Sequence, residues 1–152
     1  MFKNLIKRVL PKKRVAGKVH CVRHAVKLAV RNQAALRVLE SLHRAGFEAY
    51  LVGGAVRDLL LGIEPKDFDV ATSATPEQVH RLFRRSRIIG RRFQIVHVMV
   101  GPETIEVTTF RGGSRPARQN EHGRIMQDNS YGSMEQDAAR RDFTCNALYY
   151  NP

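Results

Sequence analysis

Cysteine is scarce in this 152-residue chain: Cys21 and Cys145 stand alone, too few for a disulfide framework and without a CxxC pair for a zinc ribbon or dithiol centre. Reduced thiols in a cytoplasmic setting are therefore expected. Long apolar runs are missing too. No stretch approaches the ~18 consecutive apolar residues of a membrane span, and the start, MFKNLIKRVLPKKRVAGK, lacks the apolar segment of a secretory leader. There is no internal repeat. Acidic residues are absent from residues 1–31, which hold ten Lys and Arg, whereas the remainder holds sixteen against fourteen acids. A basic arm of +10 thus joins a body of +2, together the formal +12. Such a balance favours a polyanionic partner, nucleic acid first and an anionic membrane surface second. Phe2, Leu5, Ile6 and Val9 beside Lys3, Lys7 and Arg8 allow a short amphipathic helix on a membrane surface, limited by Pro11.

What is present suffices for one domain, because 43% hydrophobic and 26% charged residues describe a chain that folds around a core. The folded part is expected over 32–152, after an arm over 1–31. Leu36, Leu39 and Leu42 share one face of a helix from Gln33 to Ala45, stopped by Gly46. Phe47 to Val52 reads as a buried strand, Gly53-Gly54 as a break, and Ala55 to Leu61 as a short helix closed by Gly62. Asp67 to Ala71 alternates acidic and apolar residues with the period of a strand. Thr75-Pro76-Glu77-Gln78 is a capping box with proline at the first helical position, predicting a helix with Val79, Leu82 and Phe83 inside. Ile88-Ile89, Gln94 to Val100 and Thr104 to Phe110 read as strands, Gly112 to Gly132 as a long loop, Ser133 to Arg141 as a helix and Phe143 to Tyr150 as a strand.

Four groups of residues carry possible chemistry. On a strand, Asp67 and Asp69 share a face with Cα atoms roughly 6.6 Å apart, a spacing that suits one or two magnesium ions. Solvated carboxylates on an edge strand give the same letters. Gly53-Gly54 followed by Arg57 lets a backbone approach phosphate closely, although a plain strand-to-helix turn also needs glycine. Glu106, with Thr108, lies opposite Ile105 and Val107, on the face where it can complete a carboxylate triad or meet solvent. Arg111 follows that strand. Arg140-Arg141-Asp142 offers guanidinium forks for phosphate and a carboxylate for a sugar hydroxyl, or else an ion-pair cluster with Asp137.

In this order, LVGGAVRDLLLG at 51–62, KDFDVAT at 66–72, EVTTFRGG at 106–113 and RRDFTCNALYY at 140–150 resemble the class II nucleotidyltransferase head shared by bacterial poly(A) polymerases and CCA-adding enzymes. The resemblance implies an α+β head of the polymerase beta-like type, a small mixed sheet with helices mainly on one face. It implies Asp67 and Asp69 as metal ligands, Glu106 as third catalytic carboxylate, and Gly53, Gly54, Arg57, Arg111, Arg141 and Asp142 as nucleotide contacts. Mg2+ (two ions), ATP and RNA 3′ ends follow as cofactor and partners. Residues 88–98, IIGRRFQIVHV, resemble the signature of poly(A) polymerases, with Arg91 and Arg92 available to RNA, to ATP phosphate or to a solvated turn. Polyadenylation is thus read first and CCA addition second. The family's base-reading neck and RNA-binding body would follow the head, so the chain is expected to be a head lacking them. A non-catalytic basic RNA-binding module and a small-molecule nucleotidyltransferase are the competing classes. His20, Cys21 and His24 lack a fourth ligand at finger spacing, His43 and His80 are expected at the surface, and His97 is either core or site lining.

Overall fold

The computed structural model describes residues 28–91, 93–112, 118–119, 125–127 and 130–152. In chain order these form helix α1 (Gln33–Arg44), strand β1 (Ala49–Val52), helix α2 (Gly54–Leu60), strand β2 (Asp69–Thr72), helix α3 (Pro76–Leu82) and strands β3 (Ser86–Ile89), β4 (Ile95–Val100) and β5 (Glu103–Thr109). Strands β6 (Arg118–Gln119) and β7 (Ile125–Gln127), helix α4 (Met134–Arg140), a 3-10 turn (Thr144–Asn146) and strand β8 (Tyr149–Tyr150) complete them. Helix starts follow local chemistry. The Asn32 side chain accepts from Ala35 N at 2.7 Å, and both Thr75 with Gln78 and Ser133 with Gln136 close reciprocal capping boxes.

Six strands make one sheet in the order β3-β4-β5-β2-β1-β8, antiparallel except for the parallel pair β2 and β5. A parallel pair cannot be joined by a tight turn. The connection here runs through α3 and the β3–β4 hairpin. Leu51, Val70, Val107 and Val96 stand in register on four neighbouring strands, each at most 1% exposed. Ala35, Val38, Leu39 and Leu42 of α1 and Val79 of α3 close over them. Each such Val or Leu contributes about 1.5–3 kcal/mol of burial. The opposite face carries Val52, Ala71 and Phe110 beside Tyr50, Met134 and Tyr149. The expected α+β head with helices mainly on one face is what forms.

Several local expectations are corrected. Strand β2 begins at Asp69, so Asp67 precedes it. Leu82 is exposed, because α3 ends there and its buried residues are Pro76 and Val79. Phe143 to Tyr150 is a 3-10 turn followed by two strand residues, and Phe143 itself is 68% exposed. Within the expected loop, β6 and β7 pair as a separate two-stranded ladder. The amphipathic start, the cluster His20, Cys21 and His24, most of the basic arm and Arg92 lie outside the described residues. Among the described residues no helix is long and apolar enough to cross a membrane.

Candidate active site

Strand alternation builds the acidic centre. Because Val70 and Val107 face the core, their neighbours Asp69 and Glu106 face the other way, and parallel pairing sets Asp69 directly opposite Glu106 on strands about 4.8 Å apart. One strand further, His97 pairs with Glu106, and its Nε2 lies 3.6 Å from Glu106 Oε2. His97 therefore lines this face and not the core. Asp67 is exposed just before β2. Burial first, then the charge of Glu106, then that of Asp67, lifts the Asp69 carboxyl above the usual carboxylate range, while Arg141 opposes the shift. Asp69 thus feels both of the other carboxylates.

A cleft of about 370 Å³ adjoins them, lined by Gly54, Ala55, Arg57 and Asp58, by Ile63, Glu64 and Lys66, and by Asp67 and Asp69. Gly53 turns β1 into α2 with φ +70°, a conformation that disfavours side chains, and its N–H donates to Leu148 O at 3.0 Å. Arg57 is held from two sides: Nη2 lies 2.7 Å and Nε 2.9 Å from Asp58 Oδ1, and Nη1 donates to Asn146 Oδ1 at 2.9 Å.

A second cluster centres on Asp137, which is 8% exposed. It accepts from Arg111 N at 3.0 Å, from Arg141 Nη2 at 3.4 Å and from the Tyr149 hydroxyl. Arg141 donates besides from Nε to Tyr149 OH and from Nη1 to Asn146 O, both at 3.1 Å. Burial and the bond to Asp137 push the Tyr149 phenol well above its ordinary value. The Arg111 guanidinium sits 4.4 Å from the centre of the Phe93 ring.

Residues 49–152 match the family described as the poly A polymerase head domain. The chain belongs to that family. A poly(A) polymerase I of Salmonella typhi is 56% identical over 135 residues, covering 84% of this chain and 29% of the relative. A CCA-adding enzyme of Lactobacillus helveticus is 47% identical over 116 residues, covering 75% of this chain and 28% of the relative. The crystal structure of the Bacillus stearothermophilus CCA-adding enzyme in complex with CTP superposes with a TM-score of 0.66 and 38% identity, covering 78% of this chain and 27% of that one. The chain thus spans under a third of the length of these relatives.

In this poly A polymerase head, the structure brings Asp67, Asp69, Gly54 and Arg57 to one cleft and Glu106 to Asp69's side. Arg111 and Arg141 do not line the cleft but brace Asp137 and Phe93, and exposed Asp142 lies outside its lining. Arg91 is exposed after β3, in a turn made by Gly90. Sequence reasoning missed Asn146 and Tyr149; the alternative of an ion-pair cluster with Asp137 is what Arg141 forms, with Asp137 buried and not at the surface. The capping box that starts α4 was the only local signal near Asp137, since it fixes where that helix begins.

The donor set around Asp69 is hard oxygen, and the charges of Glu106 and Asp67 add to burial in disfavouring its ionised form, which a cation would favour. Both features fit magnesium, which keeps several waters and takes one or two carboxylates. Among the described residues no three His, Cys, Asp or Glu side chains form a ready-made cage.

Proposed function

We propose that this chain is the catalytic head of an enzyme that adds AMP from ATP to RNA 3′ ends without a template. The 3′-hydroxyl of the RNA attacks the α-phosphorus of ATP, the bond to the leaving pyrophosphate breaks, and one AMP is added. The observation that carries this reading is the register pairing of Asp69 with Glu106 beside the cleft of Gly54, Arg57 and Asp67.

Asp67 and Asp69 would hold Mg2+, with Glu106 beside them. When bound, that ion supplies charge neutralisation and a lowered pKa for a coordinated hydroxyl. Gly53 and Gly54 let the triphosphate approach the backbone, and Arg57 orients it from the first turn of α2. Arg141 holds Asn146 and Tyr149 in place, so its part in nucleotide binding is to keep the turn against Gly53 rigid, with Asp142 at the sugar. Fixed donors and a fixed turn are the source of rate in a reaction governed by positioning. The reading carries with it a cytoplasmic setting and a role in mRNA processing.

CCA addition to tRNA is the second reading, favoured by the 47% identity to the Lactobacillus helveticus CCA-adding enzyme. Extension of a labelled RNA with Mg2+ and each nucleotide separately decides between them, using this chain and, where the gene continues, its full product. Repeated AMP addition that disappears in Asp69→Ala supports polyadenylation. CMP followed by AMP on a tRNA end selects CCA addition. RNA binding without extension, unchanged in Asp69→Ala, leaves only the non-catalytic RNA-binding module, and adenylation of a small alcohol in place of RNA selects the small-molecule class.

A further inference from the structure

We propose that the β3 edge of the sheet, through Arg84 and Arg87, is the track for the phosphate backbone of the RNA strand being extended, an inference that rests on the reading above and deepens it. From Gln78 to Pro102 the sequence has no Asp or Glu but carries Arg81, Arg84, Arg85, Arg87, Arg91 and Arg92. The five of these that the structure describes are exposed. Among the described residues none of the five forms an ion pair, whereas Arg57 and Arg141 are both held by carboxylates. Clustered cations without counter-charges raise a local positive potential that attracts a polyanion.

Placement gives the cluster a direction. Arg87 pairs with His97, His97 with Glu106 and Glu106 with Asp69, one row across four strands on the open face. Three inter-strand spacings put Arg87 about 14 Å from Asp69. The cleft of Gly54 and Arg57 lies on the other side of Asp69, toward α2. In an in-line displacement at phosphorus the attacking oxygen and the leaving pyrophosphate oxygen lie on opposite sides of the transferred group. A nucleotide in the cleft leaves the arginine edge for the strand that carries the 3′-hydroxyl. Protection of an open sheet edge by charge explains Arg87 on the strand itself but not the arginines in the turns at both ends. Gly90 keeps the later turn tight, since at φ +93° an added Cβ would stand 2.0 Å from Phe93 O.

The test compares two variants that each remove two exposed positive charges: Arg84→Ser with Arg87→Ser at the edge, and Arg37→Ser with Arg44→Ser on α1 as control. Fluorescence anisotropy of an end-labelled oligoadenylate RNA and calorimetric ATP binding with Mg2+ are read for both. The edge variant should bind RNA about tenfold more weakly, and its slope of log affinity against log salt should fall by about 1.4, two single-strand phosphate contacts at about 0.7 each. The lysine pair Arg84→Lys with Arg87→Lys should retain RNA binding, and ATP binding should stay at the wild-type level throughout. Edge and control variants that weaken RNA binding equally, with ATP binding intact, overturn the track alone. So does an edge variant that loses only binding to phosphatidylglycerol vesicles. A wild-type chain that binds no ATP overturns the nucleotidyltransferase reading and the track with it.

Discussion

Two clusters on this domain are each built around an aspartate on the sheet's second face and treat its charge in opposite ways. Around Asp69 burial first, then the charges of Glu106 and Asp67, lift the carboxyl, with Arg141 opposing only in part, and among the described residues no hydrogen-bond donor is bound to the Asp69 carboxyl as donors are to Asp137. Around Asp137 one buried carboxylate takes a backbone N–H, an arginine and a phenol, and three nitrogens of that arginine are occupied by protein partners. A charge satisfied by protein holds the fold. A charge only partly balanced on a rigid strand is held ready for a ligand. The two meet at the glycine turn, where Asn146 binds Arg57 through its side chain and Arg141 through its carbonyl.

The largest expected contrast comes from disabling the acidic row. Asp69→Asn keeps the shape and removes the charge, and should lower AMP incorporation by about 10³-fold, the scale on which a preorganised electrostatic group acts. Incorporation of labelled ATP into an RNA primer reads this directly. A loss below tenfold would move the acidic row out of the reaction.

Breaking the clamp should instead cost stability. Asp137→Ala leaves Arg141 and Tyr149 without their shared acceptor, and removal of one partner from a buried charged network costs about 3–5 kcal/mol. Urea unfolding followed by circular dichroism measures it; a change under 1 kcal/mol would make Asp137 an ordinary surface ion pair. Tyr149→Phe takes away one hydroxyl and two bonds while keeping the ring over which Arg141 sits at 5.3 Å. The expected loss is smaller, about 1–2 kcal/mol, and in a double variant with Asp137→Ala the two losses should be far from additive.

Which parts were legible in the sequence follows from what fixes them. Strand β5 was readable because Ile105 and Val107 alternate with Glu106 and Thr108, and both valine and isoleucine are buried as that period requires. Helix α3 was readable because its capping box is local. The segment after α4 was not. Its apolar letters suggest a strand from Phe143, but Asn146 is held by Arg57, 89 positions away, and Leu148 O by the N–H of Gly53. These distant contacts bend the chain into a 3-10 turn before two residues of strand can form. The acidic centre was legible by letter and not by geometry, since Asp67 lies outside β2 and the pairing of Asp69 with Glu106 depends on a parallel register that no local pattern encodes. The same holds for Arg57 and Arg141, whose partners are set by the fold.

The smallest effect is the most specific. Asp69 has an ordinary value of 3.8 when exposed and a raised one in the fold, so the native state binds its proton more tightly than the unfolded chain does. Its contribution to stability is fully favourable below 3.8 and is lost as pH rises through the raised value, leaving the ionised carboxylate a burden at neutral pH. Asp69→Asn should therefore raise Tm at pH 7 by a few degrees, a modest gain because the group is partly solvated. The gap should close on acidification toward 3.8, and Mg2+ should narrow it from the other side by stabilising the wild-type chain alone. One substitution would then be inactivating and stabilising at once, whereas Asp137→Ala would only destabilise. If Asp69→Asn lowered Tm at neutral pH, the acidic row would be a structural network like the clamp, and the division of labour between the two clusters would not hold.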